Sequence, residues 1–190
     1  MTRARVWTAT IMLAFACPSN AQRSSIDPQQ SVMTVRVYRS GVFSAFGHDH
    51  EIAAPIASGG VDVKAHQVEL RVAAKALRVS DTDASEKDRA EIQKTMQGPE
   101  VLDTERFPEI VFRSTSAEAA GTGAWKIVGD LMLHGSVQPV TVEVTETAGH
   151  YRGHTALKQS EFGIKPVKVG GGTVRVKDQV RIEFDIRLER

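Results

Sequence analysis

Cysteine is nearly absent from this chain. Cys17 is the only one in 190 residues, and it falls in a stretch that reads as a leader, so an intramolecular disulfide is excluded and stability must come from the core. Net charge of one sign is missing as well. With 24 Lys and Arg against 23 Asp and Glu, the chain offers nucleic acid or an anionic membrane surface little to hold. Catalytic signatures are equally scarce. No G-x-S-x-G elbow occurs, no serine sits in a triad context, and Gly170-Gly171-Gly172 leads to neither a P-loop lysine nor a helix. The expectation is a protein that is not an enzyme and carries no cofactor.

Apolar runs long enough to span a bilayer are also lacking. The run from Val6 to Ala16 is too short, but Arg3 and Arg5 precede it and Ser19-Asn20-Ala21 follows it, which is the build of a secretory signal peptide. Cleavage after Ala21 is expected, giving residues 1–21 as the signal and 22–190 as one domain. Loss of the two arginines turns the net charge from +1 to −1. The mature chain is then periplasmic or secreted, with no integral membrane segment. A competing reading makes Cys17 an acylated N-terminus, although Leu13 stands one place too far from it for a lipoprotein signal.

What the chain does have is a period of two. Val180, Ile182, Phe184, Ile186 and Leu188 alternate with Arg181, Glu183, Asp185, Arg187 and Glu189, so one face is apolar and the other charged. Met33, Val35 and Val37, then Val68, Leu70 and Val72, then Val140, Val142 and Val144 repeat the pattern. Such half-buried strands are antiparallel. Turn signals separate them at Ser58-Gly59-Gly60, Gly121-Thr122-Gly123, Ala148-Gly149-His150, Gly170-Gly171-Gly172 and Lys177-Asp178-Gln179, which predicts a meander closing into a sandwich or a barrel. One segment departs from this: Ser85 with Asp88 resembles a capping box and Gly98-Pro99 a stop, so a helix is expected over about residues 85–96.

The histidines form the most unusual stretch, Ser44-Ala45-Phe46-Gly47-His48-Asp49-His50-Glu51-Ile52. On a strand His48 and His50 share a face, and His134 would supply a third imidazole for a metal ion. That metal reading stands as an alternative. His66, His150 and His154 read as surface residues at strand ends or turns.

Several blocks in order resemble the YceI-like family. They are Ile26-Asp27-Pro28 with Ser31; Lys87 to Ile92 followed by Leu102 to Phe112, with Phe107-Pro108-Glu109-Ile110-Val111-Phe112 at its end; Val128-Gly129-Asp130-Leu131-Met132-Leu133-His134-Gly135 with Gln138-Pro139-Val140; and Glu161-Phe162-Gly163-Ile164. The resemblance implies an all-β fold, an antiparallel eight-stranded lipocalin-like barrel with one short inserted helix. It also implies a lumen holding a polyisoprenoid, quinone or fatty-acyl lipid for transport or storage. A ligand-free stress-response module is a further alternative.

Alternation then selects the lumen-facing candidates. On the N-terminal half these are Val35, Val37, Phe43, Phe46 and Leu70. Phe112, Leu131, Leu133, Phe162 and Ile164 follow, and Phe184 and Ile186 complete the set. His48, His50 and Lys158 are expected at a polar rim, Lys158 standing where the family commonly has an arginine block. Because a barrel has no free sheet edge, a homodimer would need some other surface.

Overall fold

The structure is a computed structural model that describes residues 23–40, 49–169 and 174–189. Twelve strands form one antiparallel sheet: β1 (Arg23–Ser25), β2 (Val32–Ser40), β3 (His50–Ala53), β4 (Ile56–Asp62), β5 (Gln67–Ala73), β6 (Arg78–Val79), β7 (Glu109–Gly121), β8 (Ala124–Leu133), β9 (Ser136–Thr147), β10 (His150–Lys158), β11 (Lys168–Val169) and β12 (Val174–Arg187). Among the described residues one α-helix, α1 (Glu86–Gln97), stands between β6 and β7.

Neighbouring strands run β1-β4-β5-β7-β8-β9-β10-β12-β2-β3-β6, with β11 beside β12. The sheet curls until β3 and β4, at opposite flanks, meet through the chain itself. β3 pairs with β2, β4 pairs with β5, and only Ala54 and Pro55 separate them. Pro55 has no N–H to give a ladder, which suits it to the bend where the strand leaves one partner for the other. Counted as one bent strand, β3–β4 joins β2, β5, β7, β8, β9, β10 and β12 as eight long staves. The short β1, β6 and β11 account for the difference from the expected count. At the end where β2 begins, Ile26 N donates to Gly59 O (3.0 Å) and Asp27 N to Arg187 O (2.8 Å), so the N-terminal segment fills the gap between β4 and β12.

Two turn expectations are corrected. Ser58-Gly59-Gly60 lies inside β4, where a Cβ on Gly59 would stand 2.6 Å from Ile26 Cδ1 and one on Gly60 2.6 Å from Arg23 Nε. The glycines admit β1 rather than turn the chain. Lys177-Asp178-Gln179 is likewise no turn: it is an irregularity within β12, between the pairs Val176–Arg39 and Val180–Val37. Gly121-Thr122-Gly123 and Ala148-Gly149 do connect strands, with positive φ at Gly121, Gly123, Ala148 and Gly149. Gly170 to Gly172 lie outside the described residues.

The helix begins one residue later than expected because Ser85 is its N-cap. Ser85 Oγ accepts from Asp88 N (3.1 Å) and donates to Asp88 Oδ2 (2.7 Å), satisfying an otherwise orphaned amide. Gln93 docks the helix onto the sheet: its Oε1 accepts from Val79 N (2.8 Å) and its Nε2 donates to Leu77 O (2.9 Å). Met96 is thereby buried at 6% exposure. Among the described residues no helix is long and apolar enough to cross a membrane.

Candidate functional site

Alternation along eight curled staves turns one face of every strand inward, and here those faces enclose a cavity of about 240 Å³. That approaches the ~300–1,000 Å³ of sites that take whole organic ligands. Of the 29 described residues lining it, none carries a charge, and only Tyr151, Thr155 and Gln159 are polar. All three lie along β10 and the turn that follows it. Thr155 Oγ1 donates to Thr141 O (2.8 Å), which takes up its hydroxyl proton, and Gln159 Nε2 gives one N–H to Lys177 O (2.9 Å). Burial, with the Glu146 carboxylate behind it, pushes the Tyr151 phenol above its ordinary range, and it stays neutral at any physiological pH. An apolar lining with no free charge excludes water and ions and admits hydrocarbon.

At one end the excursion between β5 and β7 lies over part of the cavity. Leu77, Met96, Val101 and Leu102 from that excursion reach the cavity, so α1 covers an end of the barrel. At the opposite end Tyr151 divides the lumen from a polar hollow lined by Asp27, Gln30, Arg187 and Glu189.

Two glycines shape the wall. A Cβ on Gly129 would lie 2.6 Å from Phe112 Cζ, and one on Gly153 2.6 Å from Phe184 Cζ, each also striking a neighbouring carbonyl oxygen. Each phenyl ring therefore lies over a glycine on the adjacent strand. Rings laid along the wall leave the middle open, where rings projecting inward would fill it.

Of the lumen candidates, Val35, Val37, Leu70, Phe112, Leu131 and Leu133 line the cavity, as do Ile164, Phe184 and Ile186. Phe162 does not. It is 1% exposed in a 3-10 turn, Gln159–Phe162, and packs in the core without lining the void. Phe43 and Phe46 lie outside the described residues, as does His48.

The remaining rim candidates are separated. Lys158 follows the inward Leu157 and points outward, its side chain 63% exposed and its Nζ 3.8 Å from Glu161. His50 is half-buried on β3 opposite Val37. Its Nδ1 donates to Asp81 Oδ2 (2.7 Å), and Asp81 Oδ1 accepts from Glu51 N (2.6 Å). That buried carboxylate ties β3 to the segment leading into α1.

His134 occupies the β8–β9 turn at φ 51°. Its Nδ1 donates to Phe162 O (3.1 Å), and its ring meets Phe107 edge to face at 4.7 Å. The ring closes a turn, and Phe107 explains Gly135: a Cβ there would stand 2.5 Å from the Phe107 ring. Among the described residues no three His, Cys, Asp or Glu side chains gather as a metal site needs. His150 Nδ1 donates to Asp185 (2.7 Å), and His66 stacks edge-on against Trp125. His154 is exposed in the middle of β10 rather than at its end.

Sequence reasoning missed most of the wall's detail, including Val140, Val142, Tyr151 and Thr155 in the lining, and the two ring-bearing glycines. The alternation Tyr151-Gly153-Thr155-Leu157 carried the signal for three of these.

Comparison with known proteins agrees with this architecture. A UPF0312 protein of Shewanella denitrificans is 33% identical over 113 residues, 54% of this chain and 59% of its own length. A UPF0312 protein of Vibrio parahaemolyticus is 30% identical over 55% of this chain and 59% of its own. The chain thus spans about three-fifths of the length of these curated relatives. Among solved structures, Burkholderia cenocepacia BcnA superposes with a TM-score of 0.61 over 85% of this chain and 98% of its own, at 18% identity, which speaks for the fold. The YceI-like domain model matches residues 25–188, and the chain belongs to that family.

Proposed function

We propose that this protein holds a single long apolar chain, isoprenoid-like or fatty-acyl, in the barrel lumen, and carries or stores it outside the cytoplasm after removal of residues 1–21. The observation that carries the reading is the uncharged lining: 26 of its 29 described residues are apolar. A charged or strongly polar substrate would lose its hydration there without replacement. A hydrocarbon gains about 0.8 kcal/mol per methylene leaving water. About a dozen methylenes therefore contribute on the order of 10 kcal/mol, the same size as the ~4–15 kcal/mol cost of association. Chain length decides whether binding is measurable.

Titration with n-alcohols of increasing length tests this. Affinity is expected to rise about tenfold for every two methylenes until the lumen is full and then to level off. An affinity indifferent to chain length contradicts the proposal. No catalytic step is proposed: among the described lining residues the one titratable group, the Tyr151 phenol, is held neutral.

A further inference from the structure

On β2 the alternation that turns Met33, Val35 and Val37 into the cavity carries Arg39 to the same face, one step beyond Val37 and toward the end covered by α1. An arginine there is out of keeping with the wall it continues. Its side chain is only 28% exposed, and its Nη1 is buried with no hydrogen-bond partner, the one buried side-chain nitrogen or oxygen among the described residues in that condition. Asp49 is an incomplete partner. Its Oδ1 accepts from the Arg39 backbone N–H (3.1 Å) and stands 3.9 Å from Nε, beyond hydrogen-bond reach, on a side chain 55% exposed.

A buried charged donor left unpaired is destabilising and rare in native proteins. The planar guanidinium fork is matched in shape to a carboxylate or a phosphate. Other cations stand at this end of the staves: Lys168 on β11, Arg175 opposite Ser40, and Lys177 over the Tyr38 ring at 5.7 Å. Asp178, on the same strand, is taken up by Ser160 N (2.8 Å) and Oγ (2.6 Å). The lumen behind these residues is lined by uncharged side chains.

We propose that Arg39 binds the anionic head group, carboxylate or phosphate, of an amphiphile whose tail lies in the lumen, and that it selects acidic lipids over neutral ones of the same chain. This rests on the lumen reading above. The head group sits where β2 ends, and the tail runs past Val37, Val35 and Met33 toward Tyr151.

Palmitate and hexadecanol share a chain and differ in head group, so their binding to the full protein separates the two claims. Wild type is expected to prefer palmitate by about tenfold or more, the order of a hydrogen bond to a charged group. Arg39→Gln is expected to abolish that preference while binding hexadecanol as wild type does. Asp49→Asn, which removes the competing carboxylate, is expected to widen the preference, a change that a merely structural role for Arg39 would not produce and a readout that survives if Arg39→Gln fails to fold. Acetate at millimolar concentration is expected to leave bound palmitate in place. Displacement by acetate would assign Arg39 to small free anions and overturn the proposal. Equal binding of the two amphiphiles to wild type overturns the proposal and leaves the lumen reading standing. Binding of neither overturns both.

Discussion

At the scale of single residues, the open lumen depends on what is absent from two positions. Gly129 and Gly153 let the Phe112 and Phe184 rings lie flat against neighbouring strands, and a methyl group at either would drive a ring toward the cavity. Gly153→Ala is expected to cost about 1–3 kcal/mol through overpacking and, more tellingly, to shorten the longest n-alcohol the barrel accepts. An unchanged length limit would show that the ring moves elsewhere. Asp81, 6% exposed, receives both His50 Nδ1 and Glu51 N. Asp81→Ala strands two donors and is expected to lower stability by about 1–3 kcal/mol, measured as a shift in denaturant midpoint. The alternation of apolar side chains was plain in the sequence, so nine of the lumen candidates could be placed on the wall from it. Arg39 was not found, because attention to apolar residues stopped at Val37 although the same period reaches 39. Phe162 was misplaced because its neighbours form a 3-10 turn, where alternation has no meaning.

At the scale of elements, strand identity was legible and strand ends were not. Glycine and polar runs mark turns, but they also mark close approach and irregular pairing, which is how Ser58-Gly59-Gly60 came to sit inside β4 and Lys177-Asp178-Gln179 inside β12. The capping signal was more specific, since a serine three residues before an aspartate has few other uses ahead of a helix. Ser85→Ala is expected to cost about 1 kcal/mol and to loosen α1 first, seen as faster hydrogen exchange at Asp88 and Arg89 than in the strands. The outer faces carry ion pairs with a pH signature. Glu69 is held below the usual carboxylate range by the Arg23 hydrogen bond, Glu183 by Arg36, and Asp178 by Ser160. A folded-state pKa below the unfolded value favours the fold above about pH 4, and that contribution is lost as pH falls through the folded value. All three are near the surface, so each effect is small and screened by salt. Between about pH 5 and pH 3 the Tm of the wild type is expected to fall more steeply than that of a Glu69→Gln/Glu183→Gln/Asp178→Asn variant. Parallel curves would remove these pairs from the acid response.

At the scale of the whole molecule, the chain is a sheet that closes on itself through a bent strand, so that sixteen stave faces divide into outward ones that carry ion pairs and inward ones that line an apolar cavity, with Arg39 beyond one end of it. Fold class and closure followed from period two and from the ordered family blocks. The bend at Ala54–Pro55 did not, because nothing in the local pattern says that β3 and β4 take different partners. Capacity was also invisible in sequence: an apolar inner face suits a filled core as well as an open one, and what separates them is the placement of rings over glycines. Occupation of the lumen by one long apolar chain is open to direct measurement. Purified protein from its native host, extracted with organic solvent and analysed by mass spectrometry, is expected to yield a long-chain isoprenoid or acyl lipid close to one per protein. Protein that is empty on extraction, and stays empty after incubation with such lipids, would contradict it.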